Sequence, residues 1–530
     1  MRANSVRMRL RLVVSGVLAF GLAAPLVPSA SAARPADCLA TLRGVDLLTA
    51  TVPQLDRALA AHRFSSVQLT QAYLRRIRAF DRGAVKVNAI RAFTSDALKQ
   101  AAASDARRRQ HQLRGPLDGI PIILKDNVGT RDAPTTAGSI AFKGNIPKHE
   151  ATIVTKLRSA GAVILAKTNL SEFANWVDLS MPNGYSSLGG QVVNPYNGGD
   201  PSGSSSGSGA GEALGYAALA IGTETSGSIL SPSDVESRVG IKPTVGLVSR
   251  YGVIPLAQSF DTAGPMARNV TDAAYLLQAL AGRDPKDAPY DEAPGGPPVR
   301  PDYLSALKPG ALKGARLGYS TNDVPGGNQG VVFNRALADL KRAGATLVET
   351  DTLSNTANAG LVELGVIPNE FKYGINNYLA TEAGPGLPVK NMNDIVVYNQ
   401  QHSDKVKYGQ NLIIASDATP GIYDEPSAIA GRTATITSAR YAIDSVLRDN
   451  QLDAYLTPGA NYANIGAAAG YPTVIVPGGM AGNTPMGIGF LGSAWTERSL
   501  LALAYDYERV SHRRVQPTAV NPLLTEKACH

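Results

Sequence analysis

Three segments of the 530-residue sequence contain residues that could together perform acyl transfer. The tract PSGSSSGSGAG at 201–211 and the turn TSGS at 225–228 supply serine hydroxyls, and Lys125 ends the apolar run in GIPIILKDN. A serine hydroxyl becomes a nucleophile when a base removes its proton, and a lysine can be that base when it is neutral. Burial lowers the pKa of a lysine and so favours the neutral amine. Without the two serine turns, Lys125 would be interpreted as a solvated lysine at a strand end.

The tract at 201–211 has two competing interpretations. Gly/Ser-rich segments are often flexible linkers, because these residues gain little by becoming ordered. Residues 203–207 also match the pattern G-x-S-x-G, which would make Ser205 the nucleophile of an α/β-hydrolase esterase. That motif requires an apolar strand directly before it, whereas NPYNGGDP precedes the tract here. The small residues that follow predict a buried helix from Ala210 to Ala220, so we expect the tract to present backbone N–H groups at a helix start.

The elements that would position these residues alternate between helix and strand. GIPIILKDN predicts a buried strand that ends at Lys125. TVPQLDRALAAH and SSVQLTQAYLRRIRAF predict helices, the second of which begins with a capping box of Ser65 and Gln68. The segments 151–168 and 335–350 each predict an amphipathic helix, a glycine and a strand. This order is typical of an α/β protein with parallel strands.

The first 32 residues differ from the rest of the chain. They contain four arginines, an apolar run at 12–24 and the ending Ala-Ser-Ala, which together predict a secretory signal peptide cleaved near Ala32. The run is shorter than the roughly 20 residues that cross a bilayer, so we expect no stable membrane association. Removing the four arginines lowers the formal net charge from +8 to +4, which gives no support for nucleic-acid binding. We therefore expect a secreted protein with one large domain over 33–530.

The remaining composition narrows the possible cofactors. The six histidines are scattered, and no HExxH, paired-cysteine, GxGxxG or P-loop pattern is present, so neither a metal nor a nucleotide cofactor is expected. The two cysteines, Cys38 and Cys529, are predicted to form a disulfide in an oxidising compartment. Six prolines at 285–301 predict a surface crossing or a boundary between lobes. The sequence gives no indication of the oligomeric state.

Taken together, several motifs resemble the amidase signature family. They are GIPIILKDN, PSGSSSGSGAG, GTETSGSI, VGIKPTVGLVSR and DTAGPMARNVTDAA, followed by YPTVIVPGG and PMGIGFLGSAWTERSLLALAYDYE. The resemblance covers most of the chain after residue 32 in the order and spacing of the family, and it is greatest with the peptide amidase branch. It implies an α/β amidase-signature fold, in which helices surround a central mixed β-sheet in a single large domain.

The resemblance also implies a Ser–cis-Ser–Lys triad. Ser228 would be the nucleophile, Ser204 would be a bridging serine that follows a cis peptide bond, and Lys125 would be the base. The backbone N–H groups of Thr225, Ser226, Gly227 and Ser228 would form the oxyanion hole. Lys242 and Asp261 are assigned structural roles only. Two positions depart from the family pattern: Ser226 stands where Gly or Asp is usual, and Leu230 stands where a number of relatives carry Arg.

The expected reaction is hydrolysis of a linear carboxamide to a carboxylic acid and ammonia, with the C-terminal amide of a peptide as the candidate substrate. The region 369–402 is expected to line the substrate pocket. An amidotransferase subunit that hydrolyses glutamine beside transfer RNA is an alternative within the family, which a signal peptide disfavours. An inactive secreted binding protein on an amidase scaffold and an esterase or acylamidase with other acyl substrates also stay open.

Overall fold

The computed structural model describes residues 39–524, apart from 84, 288–291, 300, 354–365 and 422–425. The predicted signal peptide at 1–32, Cys38 and Cys529 therefore lie outside the described residues. All described residues belong to one compact unit.

The centre of this unit is an 11-stranded mixed β-sheet, and two short two-stranded sheets accompany it. The strands are β1 (Thr41–Leu42), β2 (Val45–Asp46), β3 (Ile90–Phe93), β4 (Pro121–Lys125), β5 (Val163–Thr168), β6 (Tyr185–Ser186), β7 (Gly190–Gln191), β8 (Leu219–Glu224), β9 (Val239–Lys242), β10 (Thr262–Ala267), β11 (Arg316–Tyr319), β12 (Thr346–Glu349), β13 (Ala454–Pro458), β14 (Thr473–Ala481) and β15 (Thr484–Leu491). The large sheet has the order β12-β11-β13-β15-β14-β9-β10-β8-β4-β5-β3, while β1 pairs with β2 and β6 pairs with β7.

Helices surround the large sheet. They are α1 (Val52–Ala60), α2 (Ser66–Phe80), α3 (Ala97–Arg109), α4 (Thr152–Ser159), α5 (Ser206–Ala213), α6 (Leu230–Val235), α7 (Val270–Leu280), α8 (Gly327–Arg342), α9 (Val366–Thr381), α10 (Met392–Gln401), α11 (Asn411–Asp417), α12 (Pro426–Asp449), α13 (Ala463–Ala469) and α14 (Glu497–Ser511). No helix among the described residues is both long enough and apolar enough to cross a membrane.

The predicted alternation of helix and strand is confirmed. Helix α2 begins with a capping box in which Ser65 and Gln68 each accept the other's backbone N–H. Helix α4 is followed by Gly161 and β5, and α8 is followed by Gly344 and β12. Both glycines have positive φ, +81° and +99°, which ends each helix without a Cβ clash. Each following strand then pairs in parallel, β5 with β4 and β12 with β11.

The strands at the centre of the sheet are buried along their whole length. Every residue of β4, β5 and β8 is buried. Parallel strands covered on both faces are apolar almost throughout, and GIPIILKDN has this character. The predicted strand at 121–125 is therefore confirmed, with Lys125 as its last residue.

The predicted helix from Ala210 to Ala220 is wrong in its limits. Helix α5 already begins at Ser206 and ends at Ala213, Gly215 turns the chain with φ +65°, and residues from Leu219 onward form β8. The cause is physical: a continuous run of small apolar residues is compatible with a buried helix and with a buried strand. The correction matters for function because β8, and not a helix, leads into the turn at 225–228.

The proline-rich segment at 285–301 connects two halves of one continuous sheet. The strands that precede it occupy the side of the large sheet from β9 to β3, and those that follow it occupy the side from β12 to β14. The two sides are joined where β14 pairs with β9. Parts of the segment are well packed, since Asp287 forms an ion pair with Arg250 at 2.9 Å and Ala293 is buried.

Candidate active site

Two central strands bring the predicted catalytic segments together. Strands β4 and β8 are parallel neighbours, so Lys125 at the end of β4 and the turn after β8 lie at the same edge of the sheet. The Nζ atom of Lys125 donates hydrogen bonds to Ser204 Oγ at 2.8 Å and to the backbone oxygen of Thr223 at 3.2 Å. Lys125 and Ser204 are fully buried. The fold therefore places the predicted base beside the predicted bridging serine.

The loop that carries Ser204 is an ordered part of this edge and not a tether. The peptide bond between Gly203 and Ser204 is cis, as the resemblance implies. The backbone oxygen of Ser204 accepts a hydrogen bond from Ser171 N at 3.1 Å. A Cβ atom on Gly203 would lie 2.6 Å from Ser171 Oγ, so this position has no room for a side chain. The linker interpretation of the tract is therefore wrong.

Ser228 lies against this loop through the backbone. The N–H of Ser205 donates to the backbone oxygen of Ser228 at 3.2 Å, which joins the two serine turns. The exposed fraction of Ser228 is 6 %, whereas that of Lys125 and Ser204 is 0 %. Of these three residues, Ser228 is thus the one that an incoming molecule can reach.

Ser205, the nucleophile of the alternative esterase interpretation, has a structural role. Its Oγ donates to Thr223 O at 3.0 Å and accepts from Thr223 N at 3.2 Å, and the residue is fully buried. The chain before the tract contains no strand between Gln191 and Ser206, a stretch that the structure describes throughout. Because its hydroxyl is occupied on both sides and no strand leads into the turn, Ser205 does not form a nucleophile elbow.

The electrostatic surroundings of Lys125 favour the neutral amine. Burial lowers the pKa of Lys125 to about 7, although the nearby carboxylates of Asp261 and Glu224 act in the opposite direction. A lysine in water has a pKa near 10.4 and is almost entirely protonated at neutral pH. At this site a large fraction of the amine is neutral near pH 7, as a general base requires.

The turn at 225–228 is shaped by its neighbours. The carboxylate of Glu224 accepts hydrogen bonds from Ile229 N at 2.7 Å and Leu230 N at 3.0 Å. The positive φ of the turn, +81°, falls on Gly227 and not on Ser226. The departure from the family pattern at Ser226 therefore causes no backbone strain, and its side chain is exposed.

The backbone N–H groups of the turn are not equivalent. Those of Thr225, Ser226 and Ser228 have no hydrogen-bond partner within the part of the chain that the structure describes. The N–H of Gly227 faces the carboxylate of Glu224 and helps to hold down its pKa, which burial raises. Three of the four N–H groups that the resemblance assigns to the oxyanion hole are thus without a competing partner, and that of Gly227 is not.

Asp261, which the sequence analysis treated as structural only, contacts the same turn. Thr225 Oγ1 donates to Asp261 Oδ1 at 2.5 Å, and Asp261 Oδ2 accepts from the backbone N–H groups of Leu256 and Ala257. The carboxylate thereby ties the turn to the loop before β10. The only signal for this contact in the sequence is that Asp261 opens the motif DTAGPM.

Two other residues singled out in the sequence have packing roles. Lys242 is fully buried and donates to the backbone oxygens of Pro243 and Tyr471. Leu230 packs with Ala463 and Ile475 in a small apolar cluster. An apolar contact therefore occupies the position where a number of relatives carry Arg.

A cavity of about 420 Å³ adjoins the site. Its wall next to the catalytic segments contains Asn127, Thr223 and Thr225, and Asn127 Nδ2 donates to Thr223 Oγ1 at 2.9 Å. Lys125, Ser204 and Ser228 are not among its lining residues, but Thr223, whose backbone oxygen accepts from Lys125, is one of them. Part of the region 369–402 does line it, as expected, through Gly374, Asn377, Tyr378, Thr381 and Glu382.

A second cavity of about 510 Å³ borders the other side of the turn, at Ser226 and Gly227. The described residues contain no group of three or more His, Cys, Asp or Glu side chains that could hold a metal ion.

Comparison with known proteins agrees with this geometry. Residues 68–501 match the family model described as Amidase, which is more than half of the chain. The protein therefore belongs to the amidase family, whose members act on amides.

Three similar proteins illustrate the range of the family. The chain is 40% identical to the peptide amidase of Stenotrophomonas maltophilia, with a TM-score of 0.81 over 88% of this chain and 98% of that one. It is 36% identical to an amidase family protein of Bacillus anthracis, with a TM-score of 0.84 over 89% and 92% of the two chains. It is 32% identical to a glutamyl-tRNA(Gln) amidotransferase subunit of Moorella thermoacetica, over 89% of this chain and 99% of that protein.

Proposed function

We propose that this protein is an exported amidase that hydrolyses the C-terminal carboxamide of peptides, with Ser228, Ser204 and Lys125 as its catalytic triad. The observation that carries the proposal is the 2.8 Å hydrogen bond between Lys125 Nζ and Ser204 Oγ in a fully buried setting. Such a pair can pass a proton between a hydroxyl and a neutral amine. The adjoining Ser228 supplies the hydroxyl that a substrate can reach.

In the first half of the reaction, Ser228 Oγ attacks the carbonyl carbon of the carboxamide. The proton of Ser228 passes to Ser204 Oγ while the proton of Ser204 passes to neutral Lys125, which becomes an ammonium. The carbonyl oxygen becomes an oxyanion, which the N–H groups of Thr225, Ser226 and Ser228 stabilise. The C–N bond then breaks, and the departing nitrogen takes a proton back from Lys125 through Ser204 to leave as ammonia.

In the second half, water hydrolyses the ester formed on Ser228. Neutral Lys125 accepts the proton of the water through Ser204, and the resulting hydroxide attacks the ester carbonyl. When the second tetrahedral intermediate collapses, Ser228 Oγ recovers its proton by the same path, and the carboxylic acid leaves. The enzyme ends with a neutral lysine and two protonated serines, as it began.

The choice of a peptide amide rests on two observations. The first is the likeness to the peptide amidase of S. maltophilia, which covers nearly all of that protein at 40% identity. The second is the cavity of about 420 Å³ beside Thr223 and Thr225, which is larger than a simple acetamide needs. The proposal of export rests on residues 1–32, in which a positively charged start is followed by an apolar run and then by small residues. The same segment disfavours the amidotransferase interpretation, which the relative in M. thermoacetica represents.

The test is the release of ammonia from a panel of small and peptide amides, with the Ser228→Ala variant beside the wild type. Ammonia release by the wild type from peptide amides, and none by the variant, is the expected result. If the folded wild type releases no ammonia from any amide, the protein is an inactive binding protein on an amidase scaffold. Release from glutamine alone would favour the amidotransferase interpretation.

A further inference from the structure

Glu382, directly after helix α9, is one of the residues that line the cavity beside the site. The backbone N–H of Gly252 is directed at this carboxylate. The Oε2 atom, however, is buried and has no hydrogen-bond partner among the described residues. A buried acceptor without a partner is unfavourable, and it is more so when the group is charged.

The cationic side chains at the end of helix α9 and in the cavity have other contacts. Lys148 Nζ donates to the backbone oxygens of Ala380 and Thr381 at the end of α9, at 3.3 and 3.2 Å. Among the cavity residues, Arg250 pairs with Asp287, and the exposed Lys286 lies over the Tyr251 ring, with its Nζ 5.1 Å from the centroid. Within the described part of the chain, no cationic side chain lies at ion-pair distance from Glu382.

A chain of contacts connects Glu382 to the catalytic end of the cavity. Ile254 N donates to the backbone oxygen of Asn127 at 2.8 Å, and Asn127 contacts Thr223, whose own backbone oxygen accepts from Lys125. Gly252, which faces Glu382, is two residues before Ile254. The Cα atoms of these two residues are at most about 7 Å apart. Because Glu382 and Thr223 line the same cavity of about 420 Å³, a peptide amide that fills this cavity contacts both of its ends.

We propose that Glu382 binds a cationic group of the substrate, so that the preferred substrates are amides with an ammonium or guanidinium within about two residues of the scissile carboxamide. This proposal rests on the proposed function, since it assigns the cavity to the same substrate. The cation would supply the missing partner of Oε2, and the end of helix α9 carries a partial negative charge that acts in the same direction. The cation could come from a basic side chain or from the free N-terminus of a short peptide.

Binding measured in the Ser228→Ala background tests this without any turnover. Calorimetric titration would use two matched pairs of probes: N-acetyl-lysyl-leucinamide against its norleucyl analogue, and glycyl-leucinamide against its N-acetyl form. We expect the cationic member of at least one pair to bind about tenfold more tightly than the neutral member. The first pair reports a basic side chain and the second reports a free N-terminus.

Adding Glu382→Gln should abolish this preference, and Glu382→Asp, which keeps the charge, should restore most of it. Glu349→Gln is the matched control, because Glu349 is an exposed carboxylate outside the cavity and should leave the preference unchanged. Equal affinities within both pairs, or a preference that survives Glu382→Gln, would overturn the proposal. If the wild type releases no ammonia while the binding preference is present, only the proposed function fails.

Discussion

The side chains of Lys125 and Ser204 are 79 residues apart in the sequence and are hydrogen-bonded at 2.8 Å in the fold. Strand β4 delivers the first and the loop before α5 delivers the second, and both side chains are fully buried. Burial lowers the pKa of the lysine, and the hydrogen bond from its Nζ connects the amine to the hydroxyl of Ser204. The location of this pair therefore favours a neutral amine near neutral pH, which the proposed mechanism requires.

The rate of amide hydrolysis should rise with pH and level off above about 7. In the proposed mechanism the reactive form is neutral Lys125. The pKa of this residue is lowered to about 7, so its neutral fraction falls about tenfold for each pH unit below that value. The check is kcat/KM for one neutral peptide amide between pH 5 and 9. Lys125→Ala should lose at least about 10³-fold at every pH while keeping its circular dichroism spectrum. A profile that is flat over this range, together with an active Lys125→Ala variant, would reject the lysine as the base.

The two adjacent serine turns allow the nucleophile to be identified by a matched pair of variants. Ser228→Ala should lower kcat by about 10³-fold or more, because no other hydroxyl in the proposed path can form the ester. Ser205→Ala removes the hydroxyl that bridges both backbone groups of Thr223, so it should lower the free energy of unfolding by about 1–3 kcal/mol. The folded Ser205→Ala protein should nevertheless remain an amidase.

Activity measured well below the unfolding midpoints of both variants separates a loss of catalysis from a loss of stability. Trapping of an acyl-enzyme by mass spectrometry should locate the modification on Ser228 in the wild type. Activity that is lost only in the Ser205 variant would reverse the assignment and favour an esterase elbow.

The sequence predicted the parts of the fold that carry local sequence signals. The capping box of Ser65 and Gln68 and the glycine at 161 between helix and strand are local signals, and the structure confirms them. The stretch 210–220 has no such signal, because small apolar residues fit a helix and a strand equally well. The predicted helix therefore included the first two residues of strand β8, Leu219 and Ala220.

The site was predictable in its motifs but not in its contacts. Lys125, Ser204 and Ser228 could be selected because each lies in a recognisable segment. Asp261 and Glu382 could not, since an isolated carboxylate in a sequence is usually solvated. Only the fold shows that Asp261 binds Thr225 and that an oxygen of Glu382 is buried without a partner among the described residues.

Cys38 and Cys529 should form a disulfide in the exported protein. They are the two cysteines of the sequence, and both lie outside the residues that the structure describes. The described segments that lead toward them do contact each other, because Arg514 donates to the backbone oxygen of Leu48 at 2.9 Å. A bridge over so long a loop should raise the free energy of unfolding by about 2–4 kcal/mol relative to a Cys38→Ser variant.

Thiol titration of the denatured, unreduced protein and a non-reducing peptide map test the bridge directly. No reactive thiol and one linked peptide are expected. Two titratable thiols with no linked peptide would contradict it.

Asp261 holds the turn at 225–228 through its contacts and affects the pKa of Lys125 through its charge. Asp261→Asn should separate these two effects. An asparagine can keep both contacts, since its oxygen can accept from Leu256 and Ala257 while its amide donates to Thr225 Oγ1. The negative charge of Asp261 raises the pKa of Lys125 against the larger effect of burial. Removing that charge should therefore lower the pKa of Lys125 further and move the acidic limb of the pH–rate profile to lower pH.

Asp261→Ala is the comparison, because it removes the charge and also the contacts that hold the turn. It should show the same shift of the acidic limb together with a loss in kcat of about 10–100-fold, as expected when oxyanion donors are misplaced. The measurement is kcat/KM against pH for the wild type and both variants, with a peptide amide as substrate. An acidic limb that stays in place in both variants would show that Asp261 acts on the turn alone.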